Sequence, residues 1–222
     1  MDIRVTDDEA TAAVAGAEWI AAQLANAVRR RGSATIALSG GSGPIPMFHR
    51  LATLDLPWKE VTVYQVDERV APDGDSARNA NALAVLPLRH TQLKLMPVTA
   101  DDLCGAARRY AASLPDRFDV VHLGLGPDGH TASWAPGDPV IDDPAPVALC
   151  GMFNGYRRMT LTPAVVNAAR HRLMHAPGVE KAAPLARWLL HDQALPVERV
   201  HRTNTLLIID RAAAADLPFA GR

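Results

Sequence analysis

The feature that most constrains this chain is a recurring local order: a short β-branched apolar run, a loop rich in glycine or aspartate, then an alanine-rich stretch with helical spacing. Ala34–Leu38 runs into Ser39-Gly40-Gly41-Ser42-Gly43-Pro44. Val61–Val66 stops at Asp67-Glu68-Arg69, and Phe118–Leu123 feeds Gly124-Leu125-Gly126-Pro127-Asp128-Gly129-His130. The same patterning predicts strands at Val147–Cys150, Met159–Leu161, Arg172–His175 and Leu206–Ile209. It predicts helices near Asn79–Leu86 and at Asp101–Leu114, Pro163–Ala169 and Gly178–Leu190. A further helix opens at a Thr6-Asp7-Asp8-Glu9 capping box, with Val14, Ala17, Ala21, Leu24 and Val28 as its inner face. It closes at Arg29-Arg30-Arg31-Gly32, where cations complement the helix dipole and glycine stops the helix. Strands alternating with helices imply an α/β fold, a mainly parallel sheet flanked by helices on both faces. Rossmann-like sheets of this kind bind ligands at the carboxyl ends of their strands, and the unusual loops fall there.

A chain of 222 residues that is 48 % apolar and 21 % charged suits one α/β domain over 1–222. Its net charge of −1 gives no excess that would draw nucleic acid or an anionic membrane, so neither partner is expected. The start, Met1-Asp2-Ile3-Arg4, lacks the basic-then-apolar order of a signal peptide, and no apolar run approaches the ~18 residues of a membrane span. Cys104 and Cys150 stand far apart without a CxxC, which argues against a disulfide framework and for a reducing, cytoplasmic setting.

Three loops carry the chemistry. In Ser39–Pro44, adjacent glycines allow close backbone approach, and successive N–H groups, two hydroxyls and a helix start make an anion cradle. It is not a Walker loop, because no Gly-Lys-Ser/Thr follows. Asp67-Glu68-Arg69 places three charges at a strand end, which reads more readily as a solvated turn than as buried structure. Gly124–Gly129 matches GxGxxG literally, yet Asp128 would meet a pyrophosphate with a carboxylate, so a dinucleotide site is rejected. His130, two residues after Asp128, is instead a positioned acid–base group. His171 and His175 are four apart, but they flank a strand rather than share a helix face, so no metal site is expected. Arg158 and Lys181 are the remaining candidate cations; a lysine in a first helical turn opposes the dipole and implies an anion beside it.

Taken together, Ser39-Gly-Gly-Ser42, Asp67-Glu-Arg69, Gly124-Leu-Gly-Pro-Asp-Gly-His-Thr-Ala-Ser133, Arg158-Met-Thr-Leu-Thr162 and Gly178-Val-Glu-Lys181 resemble the 6-phosphogluconolactonase family in order and spacing. The resemblance implies a fold shared with glucosamine-6-phosphate deaminases and ribose-5-phosphate isomerases. It implies hydrolysis of a phosphorylated sugar lactone in the oxidative pentose phosphate pathway, with no metal or organic cofactor; separately, a monomer or weak homo-oligomer is expected. On that reading Ser39, Gly40, Gly41, Ser42, Asn79, Arg158 and Lys181 hold the substrate and its phosphate. His130 is the general base, then general acid; Asp67 or Asp128 assists it, and Arg69 or backbone N–H groups meet the oxyanion. The alternatives are a deaminase-like isomerase and a non-catalytic sugar-phosphate sensor. The deaminase branch resembles Gly-His-x-Ala-Phe-Asn-Glu-Pro, and Ala135 stands at its glutamate position here; a sensor would not need His130. Departures from the lactonase pattern are Gly43 for a usual threonine, Trp134 for leucine, Ala135 for phenylalanine, and Ser76-Ala-Arg-Asn79 around the asparagine.

Overall fold

The computed structural model, whose described residues are 1–217, has seven parallel strands at its centre. In chain order the elements are β1 (Asp2–Thr6), α1 (Glu9–Arg31), β2 (Ala34–Leu38), α2 (Ile45–Ala52), β3 (Val61–Gln65), β4 (Asp67–Arg69), α3 (Ala80–Leu83) and β5 (Gln92–Lys94). They continue with α4 (Leu103–Ala112), β6 (Val120–Leu123), β7 (Val147–Phe153), β8 (Tyr156–Leu161), α5 (Pro163–Ala168), β9 (His171–His175), α6 (Ala182–Leu189) and β10 (Thr205–Asp210). The large sheet runs β1-β10-β9-β6-β2-β3-β5; β4, β8 and β7 form a smaller antiparallel sheet.

Both faces of the large sheet are covered, so its strands are apolar on both sides. Ile36, Leu38, Val61, Val63 and Val120 join one core with α1 and α2. Ala37, Tyr64, Val121, Leu123, Leu207 and Ile209 join the other, with α4, α6 and the smaller sheet. Strand order reverses at β2: β3 and β5 lie to one side, while β6, β9 and β10 return on the other. The crevice above β2 and β6 is therefore the topological switch point, where open parallel sheets bind ligands.

Several expectations need correction. Thr6 does not cap α1; it ends β1, and its hydroxyl donates to the carbonyls of Asp8 and Ile209. Asp8 is the N-cap, its carboxylate accepting from the Thr11 amide at 2.7 Å. The buried stripe of α1 is Ala12, Ala13, Gly16, Ala17, Ile20, Leu24 and Ala27, while Val14 is exposed. Close approach of α2 demands this small-residue stripe: a Cβ on Gly16 would fall 2.6 Å from Met47 Sδ. The helix placed near Asn79–Leu86 is only the short α3, and β1 and β5, both at sheet edges, escaped the strand pattern. Among the described residues, no helix is long and apolar enough to cross a membrane.

Candidate active site

Asp67-Glu68-Arg69 is strand β4, not a solvated turn. Its register with β8 sets Asp67 opposite Thr160 and Arg69 opposite Arg158. Side chains alternate across a strand, so Asp67 and Arg69 share the face that borders the crevice while Glu68 points behind it. Glu68 is fully buried and saturated. It accepts from the amides of Arg69 (2.8 Å), Asn79 (2.6 Å) and Ala80 (3.0 Å) and from Gln65 Nε2 (2.7 Å), and pairs with Arg78 Nε at 3.2 Å. This knot ties β4 to α3 and fixes the position of Asn79.

Asn79 in turn donates from Nδ2 to the Asp67 carbonyl at 3.1 Å. It packs so closely under the glycine loop that a Cβ on Gly40 would sit 2.5 Å from the Asn79 Cβ. Gly41 has φ +90°, a left-handed conformation that glycine adopts freely. Ser39 is anchored by its hydroxyl to the His122 carbonyl at 3.1 Å. The loop then delivers Ser42 to the start of α2, where the Ile45 amide donates to the Ser42 carbonyl at 3.3 Å and Pro46 has no N–H, so the donors that face the crevice belong to the glycine loop itself.

Across the crevice, the loop after β6 turns on itself: the Gly126 amide donates to the His130 carbonyl at 2.8 Å. His130 lies against the backbone of Gly126, where a Cβ would fall 2.0 Å from its ring. Its Nδ1 is 2.5 Å from Asp128 Oδ1, and its backbone amide also donates to that oxygen. Partial burial pushes the Asp128 carboxyl up, but the hydrogen bonds and charge of His130 outweigh it and hold the group below its ordinary value. An ionised Asp128 accepts from Nδ1–H, which leaves the lone pair on Nε2.

Asp67 does not touch His130 through any hydrogen bond in the structure. It accepts from Ser133 Oγ at 2.6 Å and lies 3.9 Å from Arg158 Nη1. Burial raises its carboxyl above the ordinary value, with Ser133 and Arg158 opposing. Burial likewise lowers Arg158, which Asp67 partly offsets. Phe153, which sequence reasoning missed, joins the two halves. Its ring stands edge-on to His130 with centroids 4.9 Å apart, and the Arg158 guanidinium lies 4.9 Å over it. Phe153 gets there through the β7–β8 hairpin, which turns on Asn154 (φ 49°) and Gly155 (φ 82°) with a register shift between Cys150 and Phe153.

The crevice, about 390 Å³, is lined by Ser39–Pro44, Asp67, Arg69, Asn79, His130, Arg158 and Lys181 among others. Every sequence-predicted site residue except Asp128 lines it directly, and Asp128 reaches it through His130. Lys181 ends a 3-10 turn just before α6, and the anion beside it is Glu180, at 3.2 Å. His171 and His175 sit at opposite ends of β9. Among the described residues no group of three or more His, Cys, Asp or Glu side chains forms a metal cluster.

Comparison with known proteins bears on the family and the fold. The family model described as glucosamine-6-phosphate isomerases/6-phosphogluconolactonase matches residues 7–209. A 6-phosphogluconolactonase of Rhizobium meliloti (strain 1021) is 32 % identical, over 84 % of this chain and 86 % of the relative. Among solved structures, a 6-phosphogluconolactonase from Trypanosoma brucei superposes with a TM-score of 0.82 at 26 % identity, covering 97 % of this chain and 98 % of that one. A monomeric glucosamine-6-phosphate deaminase shares the fold at 20 % identity, with a TM-score of 0.82 over 97 % of this chain and 100 % of that one. A chain with this switch-point crevice, matched to the family model over nearly its whole length, belongs to the glucosamine-6-phosphate isomerase/6-phosphogluconolactonase family.

Proposed function

We infer that this chain is a 6-phosphogluconolactonase, hydrolysing 6-phospho-D-glucono-1,5-lactone to 6-phospho-D-gluconate. The observation that carries the reading is His130, held at Nδ1 by Asp128 and bordering the same crevice as the glycine-loop cradle. We assign the 6-phosphate to the Ser39–Ser42 backbone and Lys181, with Arg158 and Asn79 shaping the adjoining wall. Phosphate binding away from the reacting carbon orients the ring, an effect worth up to roughly 7–11 kcal/mol in favourable cases.

Nε2 of His130 takes a proton from water as the water oxygen bonds to C1. The C1 carbonyl becomes an oxyanion, and Arg69 or neighbouring backbone N–H groups supply its donors. The tetrahedral species collapses by breaking the bond from C1 to the ring oxygen, and His130 returns the proton to that oxygen. Water, proton and leaving group balance without a covalent enzyme intermediate. Asp128, not Asp67, is the group placed to orient the imidazole; Asp67 is committed to Ser133 and Arg158. We place the reaction in the cytoplasm, in the oxidative pentose phosphate pathway, and treat residues 1–222 as one working domain.

A coupled assay tests the reading. Glucose-6-phosphate dehydrogenase generates fresh lactone and 6-phosphogluconate dehydrogenase reports the product. Formation of 6-phosphogluconate faster than spontaneous ring opening is expected. Ammonia released from glucosamine 6-phosphate, with no acceleration of lactone opening, would replace this reading with the deaminase.

A further inference from the structure

A second cleft lies at the amino ends of the strands, on the side of the sheet opposite the catalytic crevice. It has a volume of about 280 Å³. Arg30 and Arg31 reach it from the end of α1, Arg117 and Asp119 from just before β6, and Arg170 and His171 from the start of β9. Asp119 is the one carboxylate among the lining residues. Four guanidiniums therefore face a single carboxylate, on a chain whose net charge is −1. The dipole of α1 accounts for cations on the helix itself, but Arg117 and Arg170 come from other segments.

Asp119 is already fully engaged. One oxygen meets Arg31 and, at 3.3 Å, Arg170 Nε; the other accepts from the Thr35 amide at 2.9 Å. Among the described residues, Arg30 and Arg117 pair with no carboxylate; Arg117 spends Nε on the Ala168 carbonyl, which leaves its terminal amino groups. Buried Arg172, satisfied by carbonyl and hydroxyl oxygens alone, adds a fifth positive charge behind the cleft. The repulsion registers on the neighbours. Burial holds the His171 imidazole below its ordinary value; Asp119 opposes this, and Arg172, Arg170 and Arg117 reinforce it.

We propose that this cleft is a binding site for an oligophosphate, either inorganic or the phosphate end of a nucleotide. Convergent guanidiniums offer forked donors that match phosphate oxygens. One monoanion would leave most of the excess charge uncompensated, whereas linked phosphates carry several negative charges into one cleft. The site is independent of the catalytic crevice, so its test does not depend on turnover.

Isothermal titration with inorganic tripolyphosphate and, separately, ADP measures it at constant ionic strength near 0.15 M, where exposed charges are screened beyond about 8 Å. The proteins compared are the unaltered chain, Arg30→Gln/Arg117→Gln and the crevice variant Lys181→Gln. A binding event weakened at least about tenfold in the double variant and unchanged in Lys181→Gln is expected. The double variant should keep the circular dichroism spectrum and the cooperative thermal transition of the unaltered chain, which reports its folding. The single variants Arg30→Gln and Arg117→Gln, each altering one exposed side chain, should each weaken binding by about threefold or more. Tighter binding of ADP than of tripolyphosphate would identify a nucleotide as the source; the reverse would identify the inorganic chain. Equal affinity in the unaltered chain and the double variant, or no binding to the unaltered chain at millimolar ligand, would overturn the proposal.

Discussion

Gly126 has no room for a side chain, because the His130 ring occupies the space a Cβ would take. Gly126→Ala must move that imidazole, and a displacement of about 1 Å can cost about 10²-fold in rate. We expect kcat to fall by about that factor, with the melting temperature shifted far less than activity. Phe153 acts on His130 from the other side. Phe153→Ala removes an edge-on aromatic contact and a cation–π contact with Arg158, each worth about 1 kcal/mol. A drop in kcat/KM of about tenfold is the expected result in steady-state assays, with Phe153→Tyr restoring most of it. An unchanged kcat/KM in the alanine variant would show that His130 needs no support from the hairpin. The two residues differ in legibility. His130 and Asp128 stand two apart in a glycine-rich loop, so their partnership is local and visible in the sequence. Phe153 reaches His130 only after β7 and β8 pair, and nothing near it in the chain signals that contact.

At the scale of elements, β4 shows why a charged tripeptide was misread. Three consecutive charges look solvated because each alone is costly to bury. Here Glu68 is offset by an arginine and three backbone amides contributed by α3 and by β4 itself, partners that hydrophobic periodicity does not display. Glu68→Ala removes the partner of Arg78 Nε, which keeps its contacts to Asp73 and the Ala71 carbonyl, and leaves those buried amides unsatisfied; it should cost about 3–5 kcal/mol in denaturant unfolding. A cost below about 1 kcal/mol would mean that β4 does not need the knot.

Another buried polar pair sits between α1, α2 and the sheet. His122 on β6 and His175 on β9 lie with ring centroids 6.2 Å apart. Burial depresses both imidazoles below 6.5, to about 3 for His122, with His175 adding to the effect, and to about 4 for His175, where the Ala12 carbonyl and Asp210 oppose it. A folded-state value below the unfolded one means the unfolded chain binds protons more readily. The stability is therefore complete above pH 6.5 and is lost as pH falls below it toward 4. Each histidine should cost about 1.4 kcal/mol between pH 7.5 and 5.5. His122→Leu should remove about half of that loss. A loss identical to that of the unaltered chain would show that His122 is not the titrating group.

For the whole molecule, the alternation of strands and helices is enough to read a parallel sheet covered on both faces, and the glycine and Asp-Gly-His loops are the segments that line the crevice at its carboxyl edge. The strand order was not legible. Which strands neighbour β2 depends on crossovers whose direction leaves no local mark, and the antiparallel β4-β8-β7 sheet depends on pairing between segments about ninety residues apart. The resulting order brings the loops after β2 and β6 side by side, with β4 and β8 closing one wall. That convergence brings these four separated segments to a single crevice, lined by the glycine loop, Asp67, Arg69, His130 and Arg158. In the proposed reaction His130 moves the proton, and kcat of His130→Ala for fresh 6-phosphogluconolactone is the deciding measurement. A fall of about 10²–10⁴-fold is expected, with KM within a few-fold of the unaltered chain. Turnover within a few-fold of the unaltered chain would contradict it.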